Sequence, residues 1–276
     1  MPTTPYATWD VSTIVLSYII AVSGSFCTIQ IMEQWRLPQH PRRRTLLLLA
    51  ASVALGGCGI WSMHFTGMQA YELHDSDGKA LAVRYEGFST IASLLLPILG
   101  VYIGLRIASR DPFFLEMEQS RRKDIVRKIK VSNCLLLQVV PVTHIVPSSQ
   151  LVALFYHPWR IILGGVFAAL GVLVMHYLGM VALRTKARMS FHTGIVALSC
   201  VIALGAASAA FWILFRVLTF WPKVESLRIG SALIMGVAVC GTHYTGMAAA
   251  SYTSVDDVSE PLHKFRDEWS DFKLGR

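Results

Sequence analysis

Residues 63–68 read Met-His-Phe-Thr-Gly-Met, and the pattern returns as Met-His-Tyr-Leu-Gly-Met at 175–180 and Thr-His-Tyr-Thr-Gly-Met at 242–247. Each copy places a histidine, an aromatic residue, a glycine and a methionine at one fixed spacing, near the end of an apolar run. Histidine is costly in hydrocarbon, so its return at the same offset predicts a single internal site built from three equivalent helices.

Six long segments of the chain are nearly free of charge. They span residues 11–32, 45–70, 88–105, 159–183, 190–215 and 229–254. Each is about as long as the roughly 20 residues that a helix needs to cross the hydrocarbon core of a bilayer. The sequence therefore predicts an all-α fold, a polytopic membrane bundle of about six transmembrane helices.

Charge indicates how the bundle is oriented. Basic residues follow the first run (Arg36 and Arg42 to Arg44), and eight lysines and arginines lie between residues 106 and 130, after the third. Such clusters mark cytoplasmic loops, so we expect the N-terminus and the three motifs to face outward. Three basic residues between 184 and 188 oppose this orientation, but the larger loops outweigh them. Only Asp10 is charged ahead of the first run, which predicts a retained helix rather than a cleaved signal peptide.

Three parts of the chain are expected. Residues 1–10 form an outer N-terminal segment, residues 11–255 form the transmembrane bundle with a basic inner loop at 109–157, and residues 256–276 form a polar tail. The first half of the inner loop is basic and amphipathic, which predicts a helix on the inner membrane surface. Pro141 and Pro147 break its short apolar second half, so we expect an interfacial or loosely packed segment there rather than a seventh crossing.

The motif residues are suited to bind a soft metal ion. A histidine and the methionine four residues later share a helix face, so each motif helix offers an imidazole and a thioether from adjacent turns. Thr242 replaces the first methionine in the third copy, and Cys240 is expected to supply the missing sulfur. The candidate ligands are Met63, His64, Met68, Met175, His176, Met180, Cys240, His243 and Met247. This donor set favours copper, above all Cu(I), over zinc or hard cations.

Other interpretations remain open at this point. Methionine often fills gaps in a core, and glycine and aromatic residues serve helix packing, so a triplicated packing device is the plainest alternative. It does not explain the recurring histidine, for which an apolar residue would carry less penalty. Haem is a further candidate, since histidine and methionine are both axial ligands. We find no nucleophile motif, no P-loop and no paired carboxylates, and expect no enzymatic activity.

The chain resembles the MHYT family of integral membrane sensors, which is named after a Met-His-Tyr-Thr signature. The copies here read Met-His-Phe-Thr, Met-His-Tyr-Leu and Thr-His-Tyr-Thr, each followed by Gly-Met, and the resemblance extends from about residue 11 to 255. It implies a signalling role in which copper at the motifs senses oxygen, carbon monoxide, nitric oxide or redox state. Family members are usually drawn with seven crossings, against six here. The long basic segment resembles the expanded loops of fungal members.

The expected partners follow from the predicted membrane bundle and from the family resemblance. They are the lipid bilayer, a diatomic gas and an unidentified cytoplasmic effector. The net charge of +8 lies mainly beside spanning segments, where it meets anionic lipid heads, and we expect no nucleic-acid binding. A metal transporter or permease and a haem-binding membrane electron carrier are the alternative functions.

Overall fold

Six helices long and apolar enough to cross a membrane make up the structure, a computed structural model that describes residues 6–37, 40–74, 84–111, 154–155, 157–184, 187–221 and 224–254. These helices are α1 (Val11–Arg36), α2 (Pro41–Gln69), α3 (Gly87–Ala108), α4 (Trp159–Val181), α5 (Thr193–Phe220) and α6 (Glu225–Met247). Large apolar side chains such as Phe88, Ile91 and Val201 are exposed on the outside of the bundle, as a lipid-facing surface requires. The predicted six-helix membrane bundle is confirmed.

Short strands join the helices at one end of the bundle. They are β1 (Tyr6–Trp9), β2 (Tyr71–His74), β3 (Arg84–Tyr85), β4 (Leu183–Arg184), β5 (Ala187–Phe191) and β6 (Ala250–Ser254). They pair antiparallel as β1–β2, β3–β4 and β5–β6. The first strand of each pair leads into an odd-numbered helix and the second follows an even-numbered one, so the fold is three helical hairpins of one design. We call this end of the bundle the strand end.

Two of the odd-numbered helices, α1 and α3, begin at the strand end with similar caps. Asp10 accepts hydrogen bonds from the backbone N–H groups of Ser12 and Thr13 ahead of α1, and Glu86 does the same for Phe88 and Ser89 ahead of α3. Hydrogen bonds from the hydroxyls of Thr13 and Ser12 hold the pKa of Asp10 below its usual value. These caps satisfy backbone donors that the first turn of a helix leaves without partners.

The helices form a ring in chain order, with α6 returning to α1, and the even-numbered helices meet one another inside it. Close approach depends on glycine. A Cβ added at Gly100 of α3 would lie 2.8 Å from the Phe167 carbonyl oxygen and 3.0 Å from the Gly171 Cα of α4. The α3–α4 hairpin therefore packs backbone to backbone, as small residues allow in membrane helices.

Charged side chains are buried at the opposite end. Arg216 lies in a π-helical segment of α5 (Ile213–Val217), is fully buried, and forms an ion pair of 2.8 Å with Asp111 just after α3. Arg36 at the end of α1 donates to the backbone carbonyls of Leu214 and Leu218. These contacts join α1, α3 and α5 where the chain enters the basic segment.

Several predictions lie outside the described residues. They are the surface helix and the proline-broken half of the basic inner loop, which fall within 112–153, the tail at 256–276, and the first five residues of the N-terminal segment. Residues 109–111, 154–155 and 157 are the part of that loop that the structure describes.

Candidate metal centre

The three motif histidines meet on the axis of the bundle. His64 of α2, His176 of α4 and His243 of α6 are 1%, 4% and 3% exposed. One ring nitrogen from each lies within 4.8 Å of the others. The Nδ1 atom of His64 lies 3.0 Å from Nδ1 of His243 and 3.2 Å from Nδ1 of His176. The predicted convergence of three equivalent helices is therefore present in the structure.

Protons alone do not satisfy this arrangement. A neutral imidazole has one N–H donor and one acceptor nitrogen, so a given Nδ1 atom either donates one proton or accepts with one in-plane lone pair. The Nδ1 atom of His64 faces two other Nδ1 atoms and has a full hydrogen bond for only one of them. A cation among the three rings would engage all three lone pairs. The cluster is therefore a group that could hold a metal ion.

The far side of each ring is held by a motif glycine of the next even-numbered helix. A Cβ added at Gly179, Gly246 or Gly67 would lie closer than 3.0 Å to the Nε2 atom of His64, His176 or His243, respectively. The glycines thus form a cycle from α2 to α4 to α6 and back to α2. All three Nε2 atoms are buried without a hydrogen bond of ordinary geometry.

This contact between a glycine and the neighbouring imidazole, which we call the cradle, explains why each motif copy has a glycine at the same position. Glycine stands three residues after each histidine because a side chain there would occupy the place of the neighbouring imidazole. Since Nε2 points at the glycine backbone, Nδ1 is the nitrogen that faces the other two rings. The packing selects which ring nitrogen a bound ion would meet.

The motif methionines form a second layer, one helical turn toward the strand end. Met68, Met180 and Met247 pack together in a separate hydrophobic cluster. Met63 and Met175 are also buried, and Met175 belongs to the main hydrophobic core. Three thioethers therefore lie together in the turn that follows the three imidazoles.

Cys240 lies outside the histidine cluster. Among the described residues, the group of His, Cys, Asp and Glu side chains that could hold a metal comprises His64, His176 and His243. The Cys240 thiol is partly buried and lies near Ser17 of α1. Three residues along a helix correspond to about 300°, so a side chain at that offset is displaced by about 60° from His243. That displacement directs Cys240 toward α1.

Three serines that no sequence motif marks support the site. Ser17, Ser93 and Ser199 are each buried and each stands seven residues after the residue that caps its helix. Each donates its hydroxyl proton to the carbonyl three residues earlier. Only the shared distance from the start of α1, α3 and α5 would have revealed them.

The serines accept hydrogen bonds from the motif helices. The Tyr244 hydroxyl lies 2.8 Å from Ser17 Oγ and the Tyr177 hydroxyl 2.6 Å from Ser199 Oγ. Because each serine proton is already used, the tyrosine donates. Phe65 stands at the equivalent place in the first copy and has no hydroxyl, and there Trp61 Nε1 donates to Ser93 Oγ at 3.0 Å. Each motif helix is thus bonded to the odd-numbered helix that follows it in the ring.

Tyrosines close the strand end above the methionine layer. Tyr71 and Tyr85 pack against that layer, and the rings of Tyr71 and Tyr252 lie 5.8 Å apart. Burial, followed by proximity to Tyr71 and Tyr85, raises the pKa of Tyr252 to about 12. The histidines are therefore separated from the strand end by one apolar layer and one aromatic layer.

Copper fits this donor set. Ligand nitrogens about 2.0–2.1 Å from a tetrahedral ion lie about 3.3 Å from one another, close to the 3.0 and 3.2 Å that separate His64 Nδ1 from the Nδ1 atoms of His243 and His176. The nearby thioethers are soft donors, and no carboxylate belongs to the histidine cluster among the described residues. Imidazole with soft sulfur is a combination that favours copper over calcium or magnesium.

A family model described as a bacterial signalling protein N-terminal repeat, MHYT, matches residues 57–117 and 170–224. Each match contains one motif. The third copy, at 242–247, lies beyond these ranges, yet its histidine occupies the equivalent place in the cluster. No solved structure matches the chain.

Curated bacterial proteins are similar over most of the chain. The bifunctional diguanylate cyclase/cyclic di-GMP phosphodiesterase MucR of Pseudomonas aeruginosa is 29% identical over 87% of this chain and 27% of its own length. The signaling protein YkoW of Bacillus subtilis is 24% identical over 90% of this chain and 25% of its own length. The cyclic di-GMP phosphodiesterase NbdA of P. aeruginosa is 24% identical over 88% of this chain and 24% of its own length. The chain spans about a quarter of these relatives. Two stretches of the chain thus match the MHYT family model, and the third motif belongs to the same histidine cluster.

Proposed function

We propose that this chain is a membrane sensor module that binds copper and responds to a diatomic gas or to redox state. The observation that carries the proposal is the meeting of three buried Nδ1 atoms at 3.0 and 3.2 Å, which have no complete set of proton-mediated partners. His64, His176 and His243 would hold the ion. Met68, Met180 and Met247 are the nearest group of soft donors. Copper so held would supply a redox-active centre that can bind an external ligand.

The chain's own residues would set the properties of that centre. The motif glycines fix the ring orientations, and the tyrosine–serine hydrogen bonds fix the rotation of α4 and α6. The methionine and tyrosine layers would keep water from the strand end away from the ion. Such support positions ligands before the ion arrives.

The relatives suggest where a signal would go. Two of them carry names that describe cyclic di-GMP phosphodiesterase activity, and this chain aligns with about a quarter of each. We therefore propose that the chain corresponds to their sensing part, that it is not itself an enzyme, and that its signal passes to an effector on the cytoplasmic side. In this proposal the strand end faces outward, as the loop charges predict.

Two alternatives suit the geometry less well. A transporter needs a polar path across the membrane, whereas the space below the histidines is lined almost wholly by apolar side chains. A haem needs a slot between its axial ligands, whereas the three imidazoles contact one another directly, with ring centroids 4.9–5.3 Å apart. A small ion requires neither feature.

Copper analysis of the detergent-purified protein tests the proposal. We expect about one copper per chain in the wild type and a loss of most of it in His176→Gln, with the same loss in His64→Gln. His192→Ala is the matched control, because His192 is exposed at the start of α5 and outside the cluster. Equal copper in all four proteins, each folded by circular dichroism, would refute the site.

A further inference from the structure

A cavity of about 50 Å³ lies inside the bundle, lined by residues of α2, α4, α5 and α6 and by Val101 of α3. Its wall includes Ile60, Val172 and Val239, which stand four residues before His64, His176 and His243. Four residues correspond to about one helical turn, or roughly 5–6 Å along the axis. The cavity therefore lies directly beneath the histidine cluster, on the side away from the methionine layer.

The cavity wall is apolar. Thr242 contributes the polar side chain among the lining residues, and its hydroxyl is committed to the Ala238 carbonyl at 2.9 Å. A buried water needs two to four polar partners, so this space favours an apolar occupant over water. One water needs about 10–15 Å³ on this scale, so the volume suits a molecule of a few heavy atoms and excludes a drug-sized ligand.

Small side chains form the wall on α5 and α6. Ala203, Ala206, Ala207 and Ala210 of α5 face Ala238 and Val239 of α6 across the space. Five of these six are partly exposed, with Ala203 buried, and the cavity is not sealed. Both helices are apolar enough to span a membrane, so an opening between them meets hydrocarbon.

We propose that a diatomic gas enters from the bilayer between α5 and α6 and is held in this cavity, one turn below the histidines. Size, apolar lining and access from hydrocarbon favour a small apolar molecule, and the choice of a diatomic gas rests on the proposed function. Delivery of the gas to a metal at His64, His176 and His243 rests on the proposed function. Entry through the lipid also explains how a ligand reaches a cluster that the methionine and tyrosine layers cover from the strand end.

Xenon binding tests the cavity without a metal. In ¹²⁹Xe NMR of detergent-purified protein, we expect a saturable shift in the wild type, with or without copper. Ala207→Leu and Ala238→Leu, which fill the space from opposite helices, should each abolish it. Ala209→Leu is the matched control, because Ala209 is exposed on the same helix and does not line the cavity. An unchanged xenon shift in both filled variants, or no saturable shift in the wild type, would overturn the proposal.

Gas kinetics test the link to the metal. For copper-loaded protein, we expect carbon monoxide to associate at least tenfold more slowly in Ala207→Leu than in wild type or Ala209→Leu, at unchanged copper content. Equal rates would overturn delivery through the cavity. Xenon binding by a wild-type protein that retains no copper would refute the proposed function while supporting the cavity as a gas site. Copper retention without xenon binding would refute the cavity as a gas site while supporting the proposed metal centre.

Discussion

Gly246→Ala introduces a single methyl group into the cradle around the histidines. The new Cβ would lie closer than 3.0 Å to the Nε2 atom of His176, which is the edge of a rigid ring held between two other imidazoles. Because the ring has no free space into which to turn, we expect an overpacking cost of about 1–3 kcal/mol. Alanine recovers about 1 kcal/mol of helix propensity, so the net destabilisation should be about 0–2 kcal/mol.

The matched control lies on the same helix. A Cβ at Gly241 meets nothing within 4 Å among the described residues, so Gly241→Ala should be neutral or slightly stabilising. Thermal unfolding in detergent and copper content are the two measurements. Gly246→Ala should lower both, whereas Gly241→Ala should preserve both. Equal behaviour of the two variants would show that the ring is not confined by Gly246.

Three further predictions concern the supporting contacts. Tyr244→Phe removes the hydrogen bond to Ser17 and should cost about 0.5–1.5 kcal/mol of unfolding free energy in a denaturation assay while retaining copper, whereas loss of copper would contradict a purely supporting role. Asp111→Asn removes the charge that faces buried Arg216 and should lower the free energy of unfolding by about 3–5 kcal/mol. The thermal midpoint should therefore fall strongly, and an unchanged midpoint would contradict the ion pair. The pKa of Tyr252 is about 10 in the unfolded chain and about 12 in the folded one, so the free energy of unfolding should fall as pH rises between these values. In a series of thermal midpoints measured across this pH range, Tyr252→Phe should reduce that fall.

Hydropathy predicted the helices well because most of their length lies in hydrocarbon. The charge-free runs do not mark the helix ends where helices leave that region. The helix α2 begins at Pro41, four residues before the predicted run, because a proline starts it and Arg42 to Arg44 occupy its first turn. At the other end of the chain, the uncharged run to 254 includes β6, since Ala250–Ser254 carries no charge yet is extended and paired with β5.

The strands were missed for a related reason. They are two to five residues long, and their pairing depends on neighbours that the folded hairpins bring together, such as Trp9 opposite Tyr71. No sequence pattern of that length distinguishes a strand from the end of an apolar run. Their position at one end nevertheless agrees with the deduction that the three motifs share one face of the membrane.

The histidine part of the site could be predicted from the sequence. Repetition at a fixed offset predicted that His64, His176 and His243 meet, because three equivalent helices place equivalent residues at equal depth. The supporting serines carried no such local signal, since a lone serine in a helix has many uses. The expectation for Cys240 relied on a shared helix face, and its actual direction depends on the position of α1.

X-ray absorption at the copper edge of the purified, copper-loaded protein measures whether the three imidazoles are the ligands. We predict the multiple-scattering signature of about three histidine rings at roughly 2.0 Å, falling by about one ring in His243→Gln. An unaltered spectrum in that variant, or one without imidazole scattering in the wild type, would contradict a metal centre formed by the convergence of α2, α4 and α6.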